Sequence, residues 1–217
     1  MRDEQVILLI EKEFKEKTLA VTEQYLKIHS PIYDGNKLKI DRIDRDKDDG
    51  VIITYLPVLK EKFYFAVYID TKKKGVCGFG TEADNQVYFR ATSENFSADE
   101  LRAMTNLVPT LYWNIGDLKK YGTGSYTFSN FEIVPNPEPD EFEDKLKKLL
   151  SVLEQDKEGI KQLVKKANGY IQVAMDMHNG NGMIGGPTID NDDIQRMNDL
   201  GLSLNFDLYV GGDSFVD

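Results

Sequence analysis

Residues 202–210 read LSLNFDLYV, a stretch in which apolar and polar side chains alternate without interruption. The apolar positions are Leu202, Leu204, Phe206, Leu208 and Val210. A period of two predicts a β-strand with one buried and one solvated face, as in a sheet that is covered on one side. We expect this strand to pair antiparallel with a central neighbour and to bury Leu204, Phe206 and Leu208. On that prediction, Phe206→Ala would cost about 3–5 kcal/mol of stability.

Working outward, the N-terminal part begins with an amphipathic helix from Arg2 to about Lys17, because Val6, Ile10 and Phe14 fall on one stripe. Strand-like stretches follow at residues 37–43, 51–55, 63–69 and 76–81, and turn-rich segments such as DTKKKG separate them. This order predicts a helix followed by an antiparallel meander over residues 1–85.

The pattern changes from Gln86 onward. The strand QVYFRATS precedes a helix that Ser97 and Glu100 open as a capping box, and amphipathic helices follow from Phe142 and from Ile160. A strand at 170–177 then precedes a last helix at about 192–200. Residues 86–217 are therefore predicted to form a ferredoxin-like α/β sandwich with a mainly antiparallel sheet. The whole chain is predicted to be α+β, with two compact units.

Composition excludes several classes. The chain has 217 residues, 41% of them hydrophobic, and no apolar run approaches the roughly 20 residues of a membrane span. The segment MRDEQVILLIEKEF holds only five consecutive apolar residues, so no signal peptide is evident. Cys77 is the single cysteine and is interpreted as an inert buried thiol. These features predict a cytoplasmic protein without a membrane association.

The formal net charge of −10 is unevenly distributed. Residues 1–85 carry 15 basic and 16 acidic side chains, whereas residues 86–217 carry 12 and 21. An acidic surface is a poor nucleic-acid binder and favours basic partners, which it attracts at a salt-sensitive rate. A merely solvated acidic face is the alternative interpretation.

The stretch NGNGMIGGPTIDNDD, residues 179–193, contains glycines 180, 182 and 185 at the G-x-G-x-x-G spacing of dinucleotide-binding folds. The strand before it alternates, Pro187 lengthens the loop, and only 31 residues follow Gly186. We therefore interpret it as a turn that precedes a helix capped by Asp190 or Asn191, and we expect no nucleotide cofactor.

No metal or catalytic site is predicted. The acids of DRDKDD (Asp44, Asp46, Asp48 and Asp49) fail the EF-hand pattern, because Asp49 and Tyr55 stand where glycine and glutamate are needed. They are interpreted as a solvated hairpin turn. His29 and His178 are the only histidines, and neither lies in a zinc or nucleophile motif.

Trp113 is the only tryptophan and lies in VPTLYWNIGD, where the chain is expected to cross from helix to strand. One interpretation is a core or edge aromatic, next to a turn that Gly116 forms and Asp117 caps. The other interpretation is an anchor that binds a partner protein.

Three stretches together carry a family resemblance: QVYFRATSENFSADEL, PTLYWNIGD and GLSLNFDLYV. They resemble the bacterial family called domain of unknown function 4279, over roughly residues 86–210. Pro109, Thr110, Trp113, Gly116 and Asp117 fit a P-T-x-x-W-x-x-G-D motif, with Ile115 where a lysine is expected. The resemblance implies no catalytic residues. Such domains look like those encoded beside toxin systems, where small acidic proteins serve as immunity factors.

The functional hypothesis is a non-enzymatic cytoplasmic module that binds a basic protein, such as a toxin. The candidate partner-binding residues are Trp113, Asp117, Asp190, Asp192 and Asp193. The alternatives are a small-ligand sensor or an enzyme with a pocket between the two units, and a structural or oligomerising protein.

Overall fold

The computed structural model describes residues 1–47, 49–180 and 185–215. Its helices and antiparallel-rich sheets confirm the predicted α+β class. Among the described residues, no helix is both long enough and apolar enough to cross a membrane.

The N-terminal unit packs two helices on a four-stranded antiparallel meander of order β3-β4-β5-β6. Its elements are α1 (Asp3–Glu16), α2 (Ala20–Ile28), the short pair β1 (Tyr33–Asp34) and β2 (Lys37–Leu38), β3 (Arg42–Asp44), β4 (Val51–Pro57), β5 (Tyr64–Asp70) and β6 (Gly75–Glu82). Val6 and Ile10 of α1 are completely buried in the same core as Phe65 and Val67. The predicted helix and meander are therefore present.

Helix α2 was not predicted from the sequence, and a buried carboxylate holds it in place. Glu13 accepts hydrogen bonds from the Thr22 hydroxyl at 2.7 Å and from the Leu19 N–H at 3.0 Å. Glu13 is only 4% exposed, so these bonds replace the water that the carboxylate loses on folding. One side chain thus joins the end of α1 to the start of α2.

The C-terminal unit has a five-stranded sheet of order β11-β10-β7-β9-β8. Its elements are β7 (Asp84–Ser93), α3 (Ala98–Arg102), β8 (Leu111–Trp113), β9 (Ser129–Ile133), α4 (Phe142–Leu153), a 3₁₀ turn (Glu154–Asp156), α5 (Lys157–Ala167), β10 (Tyr170–His178), α6 (Asn191–Leu200) and β11 (Leu204–Gly211). The order of β7, β8, β9 and β10 and their antiparallel pairing are those of a ferredoxin-like sheet, as predicted.

The helices of this unit share one core with alternate residues of the sheet. Ile171, Val173, Met175 and Met177 of β10 are all buried there, together with Leu146 of α4. The Ser97–Glu100 capping box is formed at the start of α3, and Asp190 caps α6 by accepting the Asp193 N–H at 2.8 Å. These local predictions are confirmed.

The prediction for the last strand is wrong. Strand β11 pairs parallel with β10, to which α6 connects it, and it forms an edge of the sheet. Phe206 is 38% exposed and Leu208 is 53% exposed, although Phe206 contacts the ring of Phe142. The alternation correctly marks the face that points toward the helices, but the helical layer does not cover this edge.

Ala83 alone separates the last strand of the meander from the first strand of the C-terminal sheet, because β6 ends at Glu82 and β7 begins at Asp84. The division into domains at residue 85 stays a prediction, although the two sheets have distinct cores.

Two further interpretations from the sequence are wrong: Cys77 is exposed, and Asp44 is buried rather than solvated. Asp48 of the same turn lies outside the described residues.

Candidate functional site

A cavity of about 210 Å³ lies where the meander meets the C-terminal unit. Its walls come from the end of β6, the start of α4, the end of β10 and the loop before α6. The lining residues are Thr81, Glu82, Ala83, Glu141, Phe142, Glu143, Met175, Met177, His178, Gly186 and Pro187. Three carboxylates therefore converge on one cavity, beside the apolar side chains of Phe142 and two methionines.

Glu82 is the least compensated of these carboxylates. Its Oε1 accepts a hydrogen bond from Asn85 Nδ2 at 2.9 Å, and within the described residues no lysine, arginine or histidine nitrogen lies within 4.0 Å of it. Burial, together with the negative charges of Glu141 and Glu143, raises the pKa of Glu82 to about 7. Near neutral pH this side chain therefore exchanges between its acid and its carboxylate form.

The other two carboxylates are anchored by their own chain. Glu141, which precedes α4, binds Lys47 Nζ at 2.5 Å, and Lys47 also binds Asp144 at 2.5 Å. Glu143 accepts the backbone N–H of Thr188 at 2.8 Å, which fixes the loop before α6 to the cavity. The site is thus built from both units and held by contacts between them.

A buried ion-pair network supports this junction. Asp140 is completely buried and accepts hydrogen bonds from Arg42 at 2.7 Å, Asn136 at 2.7 Å and Lys148 at 2.9 Å. Burial alone would raise the pKa of Asp140, but its bonds to the arginine and the lysine keep that pKa below its usual value. Carboxylate oxygens of Asp140, Asp44 and Asp144 lie within 4.8 Å of one another.

This carboxylate cluster does not fit a metal ion well, because cations of the chain already compensate it. Arg42 pairs with both Asp44 and Asp140, while Lys47 pairs with Asp144. A buried carboxylate in such pairs serves to hold neighbouring elements together. We therefore assign the cluster a structural role.

The two histidines, distant in sequence, meet beside the cavity with ring centroids 4.9 Å apart. Tyr25, Phe63 and Phe215 surround His178 with ring centroids at 5.0–5.6 Å. His178 accepts the Gly180 N–H at Nδ1 and places Nε2 2.9 Å from the Asp213 carbonyl, which is the arrangement of a neutral ring protonated at Nε2. Burial lowers the pKa of His178, and the nearby His29 lowers it further.

Sequence reasoning missed this constellation, since neither histidine belongs to a motif and Glu82, Glu141 and Glu143 are ordinary acids in a chain with 37 of them. The predicted strands left residues 82–85 between them, whereas in the structure only Ala83 separates β6 from β7, and this short link brings the two sheets together at Glu82.

The residues predicted to bind a partner lie elsewhere and not together. Trp113 is half-buried on β8, where its ring stacks on Tyr126 at 4.3 Å and its Nε1–H donates to the Phe128 carbonyl. Asp117 is exposed and accepts the Asn114 N–H at 2.7 Å, in the turn that Gly116 permits with φ +89°. Strand β8 lies at the opposite edge of the sheet from β10 and β11, which α6 connects.

The three aspartates at the start of α6 do not form one exposed patch. Asp193 is only 3% exposed and pairs with Arg196 at 3.1 Å, while Asp190 caps the helix and pairs with Lys147 at 3.3 Å. Asp192 is exposed. The partner-binding role of these residues stays a prediction, but burial removes Asp193 from the surface.

The glycine-rich loop is described only at its two ends. Gly180 and Gly185 have positive φ values of 55° and 72°, as turn glycines do, whereas Gly182 lies outside the described residues. The expectation that this loop binds no nucleotide stays a prediction.

Fold and site together define an α+β protein in which a helix-covered meander and a ferredoxin-like sheet enclose an acidic cavity at their junction. A family model described as Domain of unknown function (DUF4279) matches residues 81–211, and the chain belongs to that family. Searches of curated proteins and of solved structures give no match. The matched range begins just before Glu82, so it includes every residue of the cavity.

Proposed function

We propose that this chain is a non-enzymatic, cytoplasmic binding protein that receives a positively charged side chain of a basic protein in the junction cavity. The observation that carries the proposal is the convergence of Glu82, Glu141 and Glu143 on one cavity in which Glu82 has no cation of the described chain. The ammonium group of a lysine or the guanidinium group of an arginine would supply the positive charge that the Glu82 carboxylate lacks.

The cavity suits such a side chain in size and in polarity. A space of about 210 Å³ is too small for a drug-sized ligand, for which pockets of about 300–1,000 Å³ are usual, but it can hold one long side chain. Phe142, Met175 and Met177 provide apolar contacts for the methylene stem, while the carboxylates contact the head. Methionine adapts its shape to different ligands, which helps a site accept either lysine or arginine.

The charge of the chain supports a protein partner. The excess of acidic residues over 86–217 would attract a basic surface and speed association at low ionic strength. If the partner were a basic toxin, the chain would serve as an immunity factor, and a toxin gene beside its own would favour that role.

A titration with blocked peptides tests the cavity directly. The probes are Ac-Gly-Lys-Gly-NH₂, Ac-Gly-Arg-Gly-NH₂ and, as an uncharged control, Ac-Gly-Gln-Gly-NH₂, each added to ¹⁵N-labelled protein at pH 8. We expect the two cationic peptides to shift the amide signals of residues 81–83 and 141–143 with Kd of about 1 mM or tighter, and the glutamine peptide to have no effect. Glu82→Gln should weaken binding about tenfold or more, whereas Glu94→Gln, an exposed acid outside the cavity, should not.

The proposal is wrong if all three peptides behave alike or if the two variants bind equally well. If the cationic peptides do bind as expected, capture from a lysate of the source organism, with Glu82→Gln protein as the control bait, would identify the natural partner.

A small-ligand sensor is the second candidate, and the position of the cavity between the two units favours it. A free diamine such as cadaverine would then bind more tightly than the lysine peptide, because a site built for a small ligand encloses the whole molecule and has no room for a peptide backbone.

A further inference from the structure

A second concavity, of about 430 Å³, opens on the opposite side of the junction and does not share the carboxylates of the first. It lies where β7 extends beyond the end of β9 and is flanked by the segment that follows β9. Tyr64 of β5 and Tyr88 of β7 contribute aromatic walls, and Lys145 of α4 reaches into it.

The buried ammonium of Lys145 has neutral partners only. Its Nζ donates to the Asn85 carbonyl at 2.5 Å and to the Asn136 carbonyl at 3.3 Å, and the residue is 2% exposed. Among the described residues no carboxylate oxygen lies within 4.0 Å of it, although an ammonium has three N–H donors. One donor of a buried cation is therefore available to an anion.

The half-buried carboxylate of Asp84 lies near this cation and attracts it. Asp84 precedes Asn85 in β7, lines the same concavity, and forms no salt bridge within 4.0 Å to any described residue. Burial lowers the pKa of Lys145 to about 8 and raises the pKa of Asp84, while the attraction between the two charges opposes both shifts.

Lys145, which is buried, and Asp84, which is half-buried, line one concavity without a salt bridge to each other, and a ligand that carries both signs of charge would pair with each of them. From this juxtaposition of Lys145, Asp84 and the two tyrosines, we propose that the concavity binds a zwitterionic α-amino acid. Its carboxylate would accept from Lys145, its ammonium would donate to Asp84, and an aromatic or apolar side chain would lie between Tyr64 and Tyr88. This inference does not depend on the proposed function of the acidic cavity.

Calorimetric titration with three compounds that share a phenylethyl group and differ in their charged groups tests the inference. The compounds are L-phenylalanine, phenethylamine and 3-phenylpropionate. We expect phenylalanine to bind with Kd of about 1 mM or tighter, and each singly charged compound to bind about 10- to 100-fold more weakly, because each lacks one charged hydrogen-bond partner. Equal binding of the three compounds, or no binding of phenylalanine, would overturn the inference.

Variants locate the binding. Asp84→Asn and Lys145→Met should each weaken phenylalanine binding about tenfold or more, whereas Lys161→Met, an exposed lysine of α5, should leave it unchanged. Glu82→Gln should also leave it unchanged, which separates this concavity from the acidic cavity. If Lys145→Met fails to fold, the comparison of Asp84→Asn with Lys161→Met decides the question, and equal affinities of these two variants would refute the assignment.

Discussion

Replacing Glu82 by glutamine should make the protein more stable in alkaline solution. Glutamine keeps the oxygen that accepts from Asn85 and removes the charge that burial and the neighbouring Glu141 and Glu143 disfavour. A buried charge that lowers the stability of the folded protein is typical of a binding site, because selection preserves the function of such a site at the expense of stability.

The magnitude follows from the pKa of Glu82. In the folded chain this pKa is about 7, against 4.5 for an unperturbed glutamate. Between these two values the folded state binds more protons than the unfolded state, so stability is fully present below about pH 4.5 and falls as the pH rises through 7. The shift corresponds to an upper bound of about 3.5 kcal/mol at about 1.4 kcal/mol per pH unit.

Urea unfolding of the wild-type chain and of Glu82→Gln at several pH values between 5 and 8 measures this difference. We expect the variant to gain about 2–3 kcal/mol in free energy of unfolding at pH 8 and less than about 1 kcal/mol at pH 5. Glu94→Gln, in which an exposed acid changes in the same way, should show no such dependence. A Glu82→Gln variant that is no more stable than the wild type at pH 8 would refute the reasoning.

Three further expectations concern packing and protonation. Because the pKa of His178 is lowered in the folded state, its contribution to stability is present above about pH 6.5 and is lost as the pH falls. The variant His178→Gln should therefore lose less unfolding free energy than the wild type between pH 7 and pH 5. An equal loss in the two proteins would contradict this expectation. Gly212 has φ +85° and an added Cβ would lie 2.9 Å from an aromatic carbon, so Gly212→Ala should cost more than about 1 kcal/mol in thermal unfolding, unlike Gly80→Ala, where space is open. Phe89→Ala should cost about 3–5 kcal/mol because Phe89 is completely buried, whereas Phe206→Ala should cost about 1–2 kcal/mol; equal losses in urea unfolding would show that β11 is packed like a core strand.

Several elements could be predicted because their signals are local. The capping box at Ser97 and Glu100, the Asp190 cap and the alternation of β10 depend only on residues within a few positions of one another. Helix α2 was not predicted because its position depends on the Glu13 carboxylate, which reaches its hydrogen-bond partners only when α1 and α2 lie side by side.

By itself, the sequence determined the α+β class, the meander and the faces that point inward, since hydrophobic periodicity and capping are properties of neighbouring residues. It did not determine how far the helical layer extends. Strands β10 and β11 carry the same alternation, yet only β10 lies beneath the helices and is buried. Only the tertiary structure decided the candidate site, because Glu82, Glu141 and His178 come from different elements and acquire their shared environment where the two sheets meet. Burial and the distances between charges set a pKa, and both quantities arise from the packing of segments that are remote in the chain.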